Sequence, residues 1–137
     1  MTRTAAILAA SLVFIASART DDKPKQGPAD LERKLHGKWK GGACQGDWTF
    51  APDGTYEVDH YSPGNNKLAG TWAVRWDALP PTLILTCKTS DAPDRIKIGE
   101  KKEVKLLELD DDVLAYQYFS QYQKPGGHTN RFERVKK

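Results

Sequence analysis

The chain reads as an all-β protein, a small eight-stranded antiparallel up-and-down barrel entered through a short helix. Three observations predict it. The apolar period becomes two from Lys38 onward, turn residues recur at the close spacing of a meander, and a single helical pattern of about two turns comes before them.

The segments ahead of the barrel read as processing and linker sequence. Met1-Thr2-Arg3 supplies a short basic start, the run from Ala5 to Ile15 is apolar, and Ala16-Ser17-Ala18 has the small-residue pattern of a cleavage site. Residues 1–18 are therefore expected to be a signal peptide cut after Ala18. A spanning helix needs about 20 apolar residues, and Arg19 ends this run sooner. No cysteine follows the run to take a lipid, so the expectation is an exported protein of the bacterial periplasm or extracellular space, without stable membrane insertion after cleavage. Residues 19–27, Arg-Thr-Asp-Asp-Lys-Pro-Lys-Gln-Gly, carry no large apolar side chain and read as a flexible leader. The domain is assigned to 28–137, a length that closes one core.

From Pro28 to Leu35 the leucines at 31 and 35 lie four apart on one face, and Gly37 stands where a helix stops. The apolar edge of this helix is expected to plug one end of the barrel. The predicted strands are Lys38 to Ala43, Asp47 to Ala51, Thr55 to Tyr61, Leu68 to Asp77, Thr82 to Thr89, Lys101 to Asp110, Val113 to Ser120 and Thr129 to Val135. The hairpin signal is strongest at Ala51-Pro52-Asp53-Gly54, where Asp-Gly supplies the positive backbone angle of a tight turn. Pro63-Gly64-Asn65-Asn66, Asp110-Asp111-Asp112 and Lys124-Pro125-Gly126-Gly127 mark further reversals. Short connections between successive strands favour a meander, and closing it removes exposed edges.

Alternation assigns Trp48, Phe50, Tyr56, Val58, His60, Trp72, Val74, Trp76, Leu83, Leu85 and Cys87 to the interior. The four tryptophans are a heavy aromatic load for so small a domain. Large rings can fill an eight-stranded barrel or line a pocket in it, and the modest size of this one favours filling.

Charge and motifs exclude several functions. The full chain carries 21 basic and 18 acidic residues, and loss of Arg3 with the signal peptide leaves 20 against 18. The charges are interleaved, as in Lys101-Lys102-Glu103-Val104-Lys105, so the basic stripe of a nucleic-acid binder is missing. Asp59 and His60, an adjacent acid and imidazole, point to opposite faces of a strand and form no dyad there. His36, His60 and His128 have no metal-ligand spacing, and Asp110-Asp111-Asp112 reads as a solvated turn. No catalytic residue, metal site or cofactor is predicted, and the chain is not expected to be an enzyme. The even pair Cys44 and Cys87, in an exported chain, is expected to form a disulfide, worth about 4 kcal/mol in the chain-entropy model.

Leu35-His36-Gly37-Lys38-Trp39 resembles the Gly-x-Trp motif that opens lipocalins and related small barrels. Thr49-Phe50-Ala51-Pro52-Asp53-Gly54-Thr55-Tyr56, Gly70-Thr71-Trp72-Ala73-Val74 and Phe132-Glu133-Arg134-Val135-Lys136 extend the likeness over Leu31 to Lys137. Together they resemble the short lipocalin-like domains of exported bacterial proteins, including paralogous sets of planctomycetes, most of which have no assigned activity. The resemblance implies that Trp39 sits at the closed end with a basic residue of the last strand across its indole. Arg134 shares a face with inward Phe132 and is the expected partner rather than Arg131, a contact worth roughly 0.5 to 2 kcal/mol.

Two functional readings follow. In the first, the mouth opposite Trp39 admits a small apolar or aromatic ligand, with His60, Trp72, Trp76, Gln117 and Tyr118 as wall or rim groups. In the second, the barrel is filled and its surface binds a protein, in a manner similar in outline to small inhibitors of bacterial metalloproteases, with the 19–27 leader entering the protease. A structural envelope protein is a third alternative.

Overall fold

A computed structural model describes residues 28–41, 45–61, 64–118 and 127–137. The signal-peptide and leader assignments, Cys44, and the reversal at Lys124 to Gly126 lie outside these residues. The helix α1 (Pro28–Leu35) is followed by β1 (Gly37–Lys40), β2 (Asp47–Phe50), β3 (Thr55–Tyr61), β4 (Asn66–Arg75), β5 (Thr82–Ser90), β6 (Lys101–Leu109), β7 (Val113–Tyr118) and β8 (His128–Arg134). Each strand pairs antiparallel with the next and β8 returns to β1, so the sheet is a closed barrel in simple meander order. This architecture is compatible with a lipocalin-like fold.

Among the described residues the seam between β8 and β1 is short, with Trp39 opposite Arg134 and Lys40 opposite Glu133. The β4–β5 ladder is far longer, running from Leu68↔Ser90 to Arg75↔Thr82 with one irregularity between Ala69 and Gly70. A Cβ on Gly70 would lie 1.9 Å from the Thr86 carbonyl oxygen and 3.0 Å from the Tyr56 ring. Only glycine permits that approach of the two strands, and the Tyr56 ring lies over the gap.

The closed end is built from the α1 terminus, Trp39 and Arg134. Leu35 and Trp39 are both fully buried. The last carbonyls of a helix lack intrahelical partners, and here donors arrive from across the barrel. Trp39 Nε1 donates to Leu35 O at 2.8 Å. Arg134 Nη1 donates to His36 O at 2.7 Å and Nη2 to Lys34 O, while its Nε reaches Asp111 O. The Arg134 guanidinium carbon lies 4.1 Å from the Trp39 ring centroid, so the expected basic residue caps both the indole and the helix. Gly37 has φ +115, and a Cβ there would lie 2.9 Å from Arg134 Nη1. The glycine of the Gly-x-Trp sequence thus turns the chain out of the helix and leaves room for the arginine.

Above this plug the lower barrel is filled with rings. Trp72 sits 5.7 Å from His36 and 6.0 Å, edge-on, from Phe50. Trp48 is the hub, with Phe50, Tyr56, Tyr116 and Phe132 at centroid distances between 5.7 and 6.4 Å. Such offset and edge contacts add about 0.5 to 1.5 kcal/mol per pair beyond burial. The Asp53-Gly54 turn forms as predicted, with Gly54 N donating to Ala51 O and Asp53 accepting from the Thr55 N–H and hydroxyl. Asp110 likewise accepts from the Asp112 and Val113 amides, closing the acidic turn on itself. Those bonds hold the Asp53 and Asp110 carboxyls below their usual range.

Candidate functional site

Strand parity sorts the two ends of the barrel. Odd-numbered strands lead away from α1 and even-numbered ones return, so the ends of β3, β5 and β7 and the starts of β4, β6 and β8 meet at the far mouth. There the filled interior stops, and a cavity of about 410 Å³ opens above Trp48 and Tyr56. That volume falls at the lower end of the range of small-molecule sites, about 300 to 1,000 Å³.

The cavity is asymmetric in chemistry. Its floor and one wall are apolar or aromatic, from Trp48, Tyr56, Leu68 and Leu85 with Tyr61 beside them. The other wall comes from β5, β6 and β7 and carries Cys87, Lys102 and Tyr118. Trp48 is fixed in the floor by donation of its Nε1 to Gln45 O at 2.7 Å. The segment between β5 and β6 bends over the rim and contributes Arg95, Ile96 and Glu100, with Lys101 and Glu103 at its edge. It is tied down locally: Gly99 N donates to Cys87 O at 2.8 Å, Cys87 N to Glu100 O at 2.9 Å, and Ile96 packs on the core cluster.

Ionisation in this cavity follows from burial. Lys102 lies half-buried directly opposite Leu85 in the β5–β6 ladder, with its ammonium nitrogen 3.9 Å from the Tyr118 ring centroid. Desolvation brings its pKa down to about 8, an effect that the charge of Glu100 partly opposes. Burial raises the Tyr56 hydroxyl to about 12 and pushes the Cys87 thiol up, with Glu100 adding to the latter. Tyr116, deeper in the barrel, is raised by the same desolvation.

The residues expected to form the site scatter. Tyr118 lines the cavity. Trp72 and Trp76 lie at the opposite end, because β4 runs back toward α1; Trp72 Nε1 donates to Ala51 O at 3.1 Å and Trp76 Nε1 to Glu32 of the helix at 3.3 Å. Trp76 also falls in the turn after β4 rather than in the strand. His60 is exposed, contrary to its inward assignment: a bulge between Val58 and Tyr61 puts it at φ +59, and Tyr61 takes the inward place. Gln117 falls on the face of β7 opposite Tyr116 and Tyr118.

The disulfide expectation is corrected on the Cys87 side. Cys87 is buried and carries a free thiol, whose Sγ lies 3.4 Å from Thr89 O. Among the described residues no group of three or more His, Cys, Asp or Glu side chains could hold a metal ion. No helix among them is long and apolar enough to cross a membrane.

Sequence reasoning missed Lys102, Tyr61, Arg95 and Ile96. A signal for Lys102 was present: Val104 and Leu106 face inward, so Lys102, two positions before Val104, shares their face. The charged run around it hides that parity. Arg95 and Ile96 lie in an irregular segment whose path no periodicity reports. Comparison of the chain with protein-family models, curated proteins and solved structures returns no match.

Proposed function

We propose that this chain is an exported, lipocalin-like barrel that binds one small apolar or aromatic molecule in the mouth opposite Trp39. The observation that carries the reading is the cavity of about 410 Å³ above a floor of Trp48 and Tyr56. The lower barrel is packed to exclude ligand, whereas the mouth leaves aromatic faces and the Leu68 and Leu85 side chains around open volume. Apolar surface of this kind gains free energy when a ligand displaces water from it, roughly 25 cal/mol per Å². The basic start, apolar run and small-residue cleavage pattern in residues 1–18 support export to a periplasmic or extracellular location.

The test is native mass spectrometry of the chain purified gently from its source, followed by titration of the delipidated protein with N-phenylnaphthylamine, a neutral aromatic probe. A discrete extra mass lost on denaturation, and saturable one-to-one probe uptake with a change in tryptophan emission, are the expected results. Cys87→Trp, which projects an indole into the cavity, should abolish uptake while thermal unfolding remains cooperative. A bare mass together with no probe uptake would sink the reading and move attention to the outer surface of the barrel.

A further inference from the structure

We infer that the ligand carries an anionic group, a carboxylate, sulfonate or phosphate on an apolar body, and that Lys102 binds it. This rests on the cavity-binding reading above and narrows its ligand class. Lys102 projects from β6 into the one side of the cavity that is not purely apolar, with Tyr118 beneath its ammonium. The ring offsets part of the charge but accepts no strong hydrogen bond, so the three ammonium donors are left largely to the cavity.

The surrounding carboxylates do not take up that role. Among the described residues Lys102 makes no ion pair. Glu103 is engaged outside the barrel with Arg75 at 2.6 Å. Glu100 faces the cavity but is shared with its own loop, accepting from the Lys97 amide at 3.1 Å, and its charge offsets the burial of Lys102 only in part. Arg95 comes over the rim as a second cation. The cavity therefore joins an aromatic floor to an undercompensated positive wall, a complement to an amphipathic anion.

The placement also works against the free protein. An ammonium held half-buried with no ion pair among the described residues disfavours its own charged state, and the charge of Glu100 offsets that burial only in part, so its pKa falls to about 8. Methionine or leucine would pack the same wall without that penalty. A bound anion reverses it, by supplying the missing charge and the missing acceptors.

The experiment compares two fluorescent probes of similar shape, anilinonaphthalene sulfonate and neutral N-phenylnaphthylamine, by titration at pH 7. Lys102→Met should lower the ratio of sulfonate to amine affinity roughly tenfold, and Lys102→Arg should keep that ratio near the unaltered protein's. A ratio unmoved by Lys102→Met, with the amine still bound, would overturn the anion assignment and leave the cavity reading standing. Failure of the unaltered protein to bind either probe would overturn both.

A pH series on the unaltered protein needs no folding of the methionine variant. The sulfonate-to-amine ratio should fall as pH rises above 8 and Lys102 loses its proton. Tyr56, Tyr61, Tyr118 and Cys87 also face the cavity from the strands, and Glu100 and Arg95 face it from above, with Lys101 and Glu103 at the rim. Lys102→Arg keeps its charge throughout, so a ratio that falls equally in that variant would assign the effect to those groups and overturn the role of Lys102.

Discussion

Arg134 links the last strand to the first helix, and its removal tests the account of the closed end. Arg134→Met keeps the aliphatic stem and deletes the guanidinium. The contact with Trp39 contributes about 1 kcal/mol for a part-desolvated site. The two part-buried bonds to the Lys34 and His36 carbonyls contribute about 1 to 1.5 kcal/mol each, because a charged donor is lost and water reaches the vacated carbonyls only in part. The exposed bond to Asp111 adds little. The expected loss is therefore about 3 to 4 kcal/mol, a large share of the stability of a domain this size. Arg134→Lys keeps a cation over the indole but cannot bridge both carbonyls, so it should lose about half as much. Equilibrium urea unfolding followed by tryptophan emission measures both, with an unchanged slope showing that the extent of unfolding is the same. A loss below about 1 kcal/mol for Arg134→Met would refute the coupling of helix, indole and last strand. Equal losses for the two variants would show that the cation over the ring contributes nothing.

Three further outcomes follow from the same geometry. Gly37→Ala should destabilise by about 2 kcal/mol, from backbone strain and the clash with Arg134, and the penalty should shrink in an Arg134→Met background; full additivity in the double-mutant cycle would exclude the clash. Lys102→Met should stabilise the ligand-free protein at pH 7 by on the order of 1 to 3 kcal/mol. The sign follows from a folded pKa lowered to about 8 against 10.5 in the open chain. The unfolded state binds more protons between those values, so the unaltered protein gains stability as pH rises from 8 toward 10.5 and the variant's advantage fades; an advantage constant with pH would refute the desolvation argument. The buried Cys87 thiol should react with a maleimide at pH 7.5 at least about tenfold more slowly than the same thiol in urea, and more slowly still with probe bound. Equal rates in the native and unfolded states would show that the cavity wall is not closed around it.

Much of the barrel was legible because its signals agree across levels. Period-two alternation, Asp-Gly and the acidic turn, and the Leu35 to Trp39 sequence each specify local structure that the closed meander then satisfies. The inward face of Phe132 fixes that of Arg134 two residues on, and the guanidinium lies over the Trp39 ring. The candidate site was far less legible. His60 follows a regular alternation in the sequence, but the bulge at Asp59 and His60 shifts the phase by one residue and gives the interior to Tyr61. The size and face of Trp72 and Trp76 say nothing of the direction of their strand; a fourth strand in a meander returns to the end where the first began, and there both indoles lie. Lys102 is masked in the sequence by its charged run, where a lysine usually belongs to solvent. Its neighbours Val104 and Leu106 already determined otherwise.

The brief seam between β1 and β8 bears on how the molecule comes into being during synthesis. Among the described residues, two paired positions, the bond from Val135 N to Lys38 O at 2.9 Å and the reach of Arg134 to the helix join β8 to β1 and α1. Every one of them waits for β8, Arg134 and Val135 to emerge. Until then β1 and β7 are open sheet margins and Trp39 has no cation above it, so the nascent chain is a template for wrong pairing rather than a partly finished barrel. A chain cut short before Arg134 would not be a trimmed barrel but one without the latch that closes it.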